Sequence, residues 1–249
     1  MEPNEYEVMR SVEDIHWWYR GLRFLLLNAL ARHAGAATGA KLLDAGCGTG
    51  ANYEAIRRFF PQIKPVGMDI SPLALQYSAA RVPGFFLQAS VECLPFPEDT
   101  FEFIVSMDVL YHERVDPALA LRDFFRVLKP GGALLLNLPA FSWLSGEHDR
   151  AVHAGRRFHP DRLADSLREA GFQVETMTCW NSLLLLPIWL WRRLDAWSNH
   201  DKPHSDLTPD NSWVNQILAW WIRIEVRLAL KFGLPLGVSV FTVARKMPT

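Results

Sequence analysis

The stretch LLDAGCGTG, residues 42–50, decides how this sequence folds. Two leucines lead into Asp44, and Gly46, Gly48 and Gly50 then alternate with Cys47 and Thr49 ahead of the helix-like ANYEAIRRFF. An apolar run that stops at glycines and passes directly into a helical pattern is a strand–turn–helix unit. Glycine permits positive φ and lets the backbone approach a ligand, which then sits at a helix N-terminus beyond the carboxyl end of the strand. About 20 residues on, Asp69 ends a second strand, KPVGMDI, where its carboxylate can accept from ribose hydroxyls.

Working outward, apolar positions such as Phe24, Leu27, Leu30 and Ala31 predict a helix over residues 5–34. SPLALQYSAARV is a helix with Ser71 as N-cap and Pro72 at its first position. GFFLQAS and TFEFIVSMD are strands; DPALALRDFFRVLK is a helix stopped by Pro130, Gly131 and Gly132, followed by the strand ALLLNLPA. A capped helix, HPDRLADSLREAG, and the strands FQVETMTCW and GVSVFTVARK complete the series. Strands alternating with helices predict an α/β fold with a doubly wound, largely parallel sheet of seven strands. Residues 181–235 read as two tryptophan-rich helices inserted before the last strand and joined by the polar SNHDKPHSDLTPD.

Composition excludes several classes. A net charge of -1 over 249 residues offers no basic excess to neutralise phosphates, so no nucleic-acid partner is expected. Cys47, Cys93 and Cys179 are odd in number and scattered, which fits neither a disulfide framework nor a CxxC zinc site. No HExxH-type spacing appears, so no metal is expected. The acidic opening MEPNEYEVMRSVEDI lacks the pattern of a secretory signal, and a cytoplasmic location is expected. SLLLLPIWLW is too short to span a bilayer and is closed by Arg192 and Arg193.

The glycine stretch alone leaves two cofactors open, because residues 46–51 also satisfy the dinucleotide pattern GxGxxG/A. Three features separate them. Asp44 stands where a pyrophosphate would be repelled and an α-ammonium welcomed; the fourth strand ends in VSMDVLYH; and VLKPGG precedes the fifth strand. Over residues 40–140 these motifs together resemble the class I S-adenosylmethionine-dependent methyltransferases of the small-molecule kind. The resemblance implies a Rossmann-like sheet with an antiparallel last strand, and S-adenosylmethionine as cofactor. It implies that Asp44 and the backbone of Gly46, Cys47, Gly48 and Gly50 hold the methionyl part. Asp69 would grip the ribose, Ile70 pack on adenine, Ser90 and Val91 edge the ring, and Met107 lie beside the cofactor. Ser90 departs from the family, which usually carries an acidic residue there to accept from the adenine amino group.

Methyl transfer from a sulfonium is an in-line displacement, in which positioning supplies most of the barrier reduction. A hydroxyl acceptor also needs a base, for which histidine is suited. His112 follows the fourth strand, and FSWLSGEHDRAVHAGRRFHP holds His148 and His153 in the loop after the fifth. Arg156 and Arg157 in the same loop would suit an anionic acceptor. The opening HWWYRGLR, residues 16–23, resembles the N-terminal segment of a subset of bacterial methyltransferase-domain proteins, where such segments cover the site as a lid. His16, Arg20 and Arg23 share one helical face, Trp17 and Trp18 would straddle the adjoining faces, one on the sheet and one toward acceptor or membrane, and His16, Trp18, Tyr19 and Arg20 could touch cofactor or acceptor; simple anchoring in the core is the alternative.

The expected organisation is an N-terminal helical lid (1–39), a methyltransferase core (40–180 and 236–249) and the insertion (181–235). The insertion would serve as an acceptor cap, a peripheral membrane surface at the inner membrane face, or a homodimer face. The expected activity is methylation of a small-molecule or lipid-like acceptor, at oxygen. The rivals are an NAD-dependent oxidoreductase and a non-catalytic membrane- or partner-binding module.

Overall fold

The computed structural model describes residues 3–35, 38–144, 155–185 and 213–248. One sheet holds β1 (Lys41–Ala45), β2 (Lys64–Asp69), β3 (Phe85–Gln88), β4 (Phe101–Met107), β5 (Leu128–Pro139), β6 (Phe172–Trp180) and β7 (Ser239–Lys246). The strand order is β3-β2-β1-β4-β5-β7-β6. Strands β3 through β5 are parallel, and β7 runs antiparallel to both β5 and β6. This is the expected Rossmann-like sheet with its last strand reversed. The chain builds outward from β1 to β3 and then returns to β4, so the order reverses between β1 and β4. A crevice opens beyond the carboxyl ends of the strands at such a switch point.

The described helices are α1 (Pro3–Val12), α2 (Trp17–Ala34), α3 (Ala51–Phe59), α4 (Pro72–Arg81), α5 (Pro117–Val127), α6 (Pro160–Glu169) and α7 (Trp213–Phe232). Ser71 caps α4 by accepting from the Ala74 N–H at 3.3 Å, and Asp116 caps α5 through the Ala118 N–H at 2.8 Å. Each cap precedes a proline, whose missing N–H costs nothing in a first turn. Helices cover both faces of the sheet, so central strands are apolar throughout rather than alternating. Ile104 of β4 joins Leu121, Phe124 and Leu163 from α5 and α6. Its neighbour Val105 joins Leu25 and Leu26 of α2, Ile56 of α3 and Val226 of α7 on the opposite face.

Two element boundaries differ from the sequence expectation. The helix expected over 5–34 is broken into α1 and α2, because the chain turns at residues 13–16 to bring Glu13 and Asp14 to Arg81 of α4. His16 is extended (φ -67°, ψ 132°) and caps α2, its Nδ1 accepting from the Trp18 N–H at 3.3 Å. Helix α5 stops at Val127, and β5 already begins at Leu128, with Lys129–Gly132 taken up by a shift in register between Phe101 and Phe103 of β4. Gly131 lies at φ +79°, which a glycine adopts without strain.

Of the two tryptophan-rich helices expected between β6 and β7, the second is α7. Beyond Leu185 the first lies outside the described residues. Helix α7 packs beside α2 in parallel: Asn215 Oδ1 accepts from the Trp17 N–H at 2.7 Å, and Arg32 donates to the Leu230 carbonyl at 2.6 Å. Among the described residues no helix is long and apolar enough to cross a membrane.

Candidate functional site

The turn after β1 is tight. The N–H groups of Gly46 and Cys47 both donate to the Met68 carbonyl of β2, at 2.7 and 2.9 Å. Gly46, Gly48 and Gly50 all lie at positive φ, and a Cβ on Gly46 would come within 2.3 Å of the Val109 side chain. Asp69 at the end of β2 accepts from the Gly48 N–H at 3.0 Å and from the Ser71 N–H at 2.8 Å. Ser78 of α4 donates to the Gly48 carbonyl at 2.8 Å. The loop is therefore held in shape by the protein, with α3 starting directly behind it.

Asp44 lies in this crevice with 1% of its surface exposed, and its Oδ2 has no hydrogen-bond partner. Burial, reinforced by the nearby Asp69 charge, pushes its carboxyl up to about 7. A buried carboxylate oxygen without a donor is costly unless a cation or donor arrives from a ligand. The α-ammonium of a methionine moiety meets that need. Each Asp69 oxygen holds one backbone N–H and keeps a lone pair for ribose hydroxyls. Ile70 beside it is 67% exposed, an apolar side chain left at the crevice edge. These residues fit S-adenosylmethionine.

The N-terminal segment lies against this loop. Thr49 donates its hydroxyl to both carboxylate oxygens of Glu13, at 2.6 and 2.7 Å, and Arg81 pairs with Glu13, Asp14 and Glu54. Met9 of α1 stands 3.2 Å from where a Gly48 Cβ would be. The buried Tyr6 phenol bonds the Ser71 side chain, and burial together with the Asp69 charge raises it to about 12. The Tyr19 phenol is pushed up first by burial, then by the charges of Glu13 and Asp108.

A second polar cluster lies past the end of β4. Asp108 sits at φ +56°, and Asn137 of β5 donates to both its oxygens, at 3.1 and 3.0 Å. Trp180 of β6 donates its indole N–H to Asn137 Oδ1 at 2.7 Å, and Trp18 stacks on Trp180 with centroids 6.0 Å apart. Asp108 keeps part of its surface open at the crevice. Desolvation nevertheless raises its carboxyl to about 7, against the Asn137 hydrogen bonds and the Arg157 charge.

The sequence candidates distribute unevenly around this crevice. Asp44, Gly46, Cys47, Gly48, Gly50, Asp69 and Ile70 come together as described. Val91 and Met107 are core residues, each 7% exposed and packed on opposite faces of the sheet. The Ser90 hydroxyl accepts from the Glu92 N–H at 3.2 Å and faces Glu92 Oε2 at 3.3 Å, so an acidic side chain lies beside it. The face expected for His16, Arg20 and Arg23 is not presented as one set: His16 is used as a cap, and Arg23 turns to Asp14 and to the Glu13 carbonyl. His112 stacks on Tyr111 with centroids 4.3 Å apart. Arg156 donates to the Val115 carbonyl at 3.0 Å and Arg157 to the Ala140 carbonyl at 3.1 Å. His148 and His153 lie outside the described residues. The sequence reading missed Asp108, Asn137 and Trp180. Only VSMDVLYH carried a signal, since its Asp108 follows directly on Met107.

The model of the methyltransferase domain family matches residues 43–136. The Cronobacter sakazakii ubiquinone/menaquinone biosynthesis C-methyltransferase UbiE is 30% identical over 203 residues, covering 68% of this chain and 78% of that protein. The chain belongs to the class I S-adenosylmethionine-dependent methyltransferases. The Vibrio vulnificus UbiE methyltransferase is 31% identical over 174 residues, covering 56% of this chain and 66% of its own length, so the chain spans just under two thirds of that relative. In three dimensions this chain is similar to Haemonchus contortus phosphoethanolamine N-methyltransferase 2 in complex with S-adenosyl-L-methionine. The TM-score is 0.59 at 19% identity, over 90% of this chain and 52% of that one. At that identity the likeness concerns the fold.

Proposed function

We propose that this chain transfers a methyl group from S-adenosylmethionine to a hydroxyl of a small or lipid-like acceptor by in-line displacement. The observation that carries the proposal is the unpartnered Asp44 Oδ2 buried beside the glycine turn. Asp44 would take the α-ammonium, the backbone of residues 46–50 would line the methionyl part, and Asp69 would grip the ribose. Ile70, Ser90 and Val91 would border adenine, with Glu92 supplying the acidic group that Ser90 lacks. When bound, the cofactor supplies a sulfonium-activated methyl group. The chain's own work is then to align the acceptor, exclude water and take up its proton.

Asp108 is the best placed proton acceptor, because its raised pKa suits a base near neutral pH and Asn137 fixes its orientation. His112, His148 and His153 are the alternative bases, and Arg156 and Arg157 would meet an anionic group on the acceptor. Residues 1–39 would act as the lid, with Tyr6, Met9 and Tyr19 over the crevice and Trp18, Tyr19 and Arg20 toward the acceptor. The insertion 181–235 would reach a membrane surface at its cytoplasmic face, where a lipid-like acceptor resides.

Isothermal titration calorimetry with S-adenosylhomocysteine and with NADH tests the cofactor assignment. Binding of the former and not the latter is expected; stabilisation by NADH alone would replace it with the oxidoreductase reading. Transfer of isotope-labelled methyl to candidate acceptors, read by NMR, then separates oxygen from nitrogen and carbon.

A further inference from the structure

We infer that the outward face of α7 docks on an anionic lipid surface. The inference rests on the lipid-like acceptor proposed above and narrows its membrane contact to one helix face. The inner side of α7 is spent: Ile222, Val226, Ala229 and Leu230 are buried in the core layer shared with α2. The outer side leaves Trp213, Ile217, Trp220, Leu228 and Phe232 exposed, Trp213 by 72% and Trp220 by 61%. At helical spacing these five fall within about a third of the circumference, so they form one strip rather than scattered residues. A contiguous apolar strip marks an interaction surface, whereas single exposed residues do not.

Charge selects the occupant. Arg223 and Arg227 are exposed along one flank of the strip and Lys231 is exposed within it, while the only acidic residue of the helix, Glu225, is turned inward with 7% exposed. Arg223 and Arg227 lie over the Phe24 ring of α2, at 5.7 and 5.3 Å, and Lys231 lies over Phe232 at 4.9 Å. These contacts hold the cations beside the strip. Two copies of the face would set cations against cations with no exposed acid on the helix to meet them. Anionic headgroups meet all three, and tryptophans beside cations suit the headgroup layer. The parallel pairing of α2 and α7, through Trp17–Asn215 and Arg32–Leu230, puts the Trp213 end of the strip beside the HWWYR segment. A membrane under α7 would thus lie next to the mouth of the crevice.

Co-sedimentation of the full chain with vesicles tests this, comparing phosphatidylcholine alone with an equimolar mixture containing phosphatidylglycerol. The protein is expected to pellet with the anionic vesicles and to be released by salt. Trp220→Glu should weaken partitioning by more than about tenfold through lost apolar burial. Lys231→Gln should weaken it about fivefold through one lost cation. Titration with S-adenosylhomocysteine on the same preparations reports an intact crevice, and its loss in the parent protein would count against the methyltransferase proposal alone. Equal pelleting of parent and both variants overturns the docking face. So does no preference for anionic vesicles, or a solution dimer that Trp220→Glu dissociates.

Discussion

The Thr49 hydroxyl is shared between the two carboxylate oxygens of Glu13, at 2.6 and 2.7 Å, and so ties the glycine loop to the turn between α1 and α2. Glu13 is 3% exposed, and Arg81 completes its coordination. Thr49, between Gly48 and Gly50, thereby reports the position of the N-terminal segment.

Thr49→Val removes that donor and leaves a buried carboxylate short of a partner. The expected loss is about 1.5–3 kcal/mol of folding stability, the range for hydrogen bonds to charged groups. Urea unfolding measures it, and Thr49→Ser should restore most of it. A valine variant as stable as the parent would show that Arg81 alone satisfies Glu13.

With Asp44 taking the α-ammonium as proposed, cofactor binding gains a pH dependence whose sign follows from the raised Asp44 carboxyl. Its folded carboxyl lies at about 7, above the ordinary 3.8, so folding takes up a proton between those values and stability falls as pH rises through that window. An ammonium beside Asp44 favours the ionised form, so binding S-adenosylhomocysteine should release a proton and tighten as pH rises from about 6 to about 8. Calorimetry in buffers of different ionisation enthalpy counts the proton. Asp44→Asn should abolish the release and flatten the profile.

Asp69→Ala removes the carboxylate that holds the Gly48 and Ser71 N–H groups and that is proposed to grip the ribose. Affinity for S-adenosylhomocysteine should fall by roughly 1.5–3 kcal/mol for one lost charge-assisted contact. Unchanged affinity would remove Asp69 from the cofactor site.

Trp180→Phe keeps the stack with Trp18 and deletes the indole N–H, leaving Asn137 Oδ1 buried without its donor. A destabilisation of about 1–3 kcal/mol is expected in thermal or denaturant unfolding. A smaller change would mean that water enters to replace the indole.

Asp108→Asn tests the proton acceptor without changing shape. Once an acceptor is in hand, turnover should drop about 100-fold or more, while S-adenosylhomocysteine affinity stays near that of the parent. Full activity would shift the role to His112, His148 or His153.

The sequence by itself determined the layer architecture and the glycine turn at the sheet's carboxyl edge. Apolar runs of strand length, proline-primed helix starts at Ser71 and Asp116, and the glycines at 46, 48 and 50 are local signals that need no distant partner. Asp44 and Asp69 were legible for the same reason, since each stands at the carboxyl end of a strand whose position follows from the alternation, Asp44 one residue before the end of β1 and Asp69 at the end of β2. What only the tertiary structure decided joins residues far apart in the chain: Glu13 with Thr49 and Arg81, Trp17 with Asn215, and Trp18 with Trp180 and through it Asn137 and Asp108. These contacts broke the long helix expected over 5–34. The capping of α2 by His16 and the burial of charged Glu13 against Arg81 outweigh a helical propensity that favours continuity only weakly. HWWYR looked like a set of polar groups aimed at a ligand. Folded, its His16 is a cap and its first two tryptophans are bound to α7 and β6, because backbone and indole groups buried there must find partners wherever the sheet supplies them.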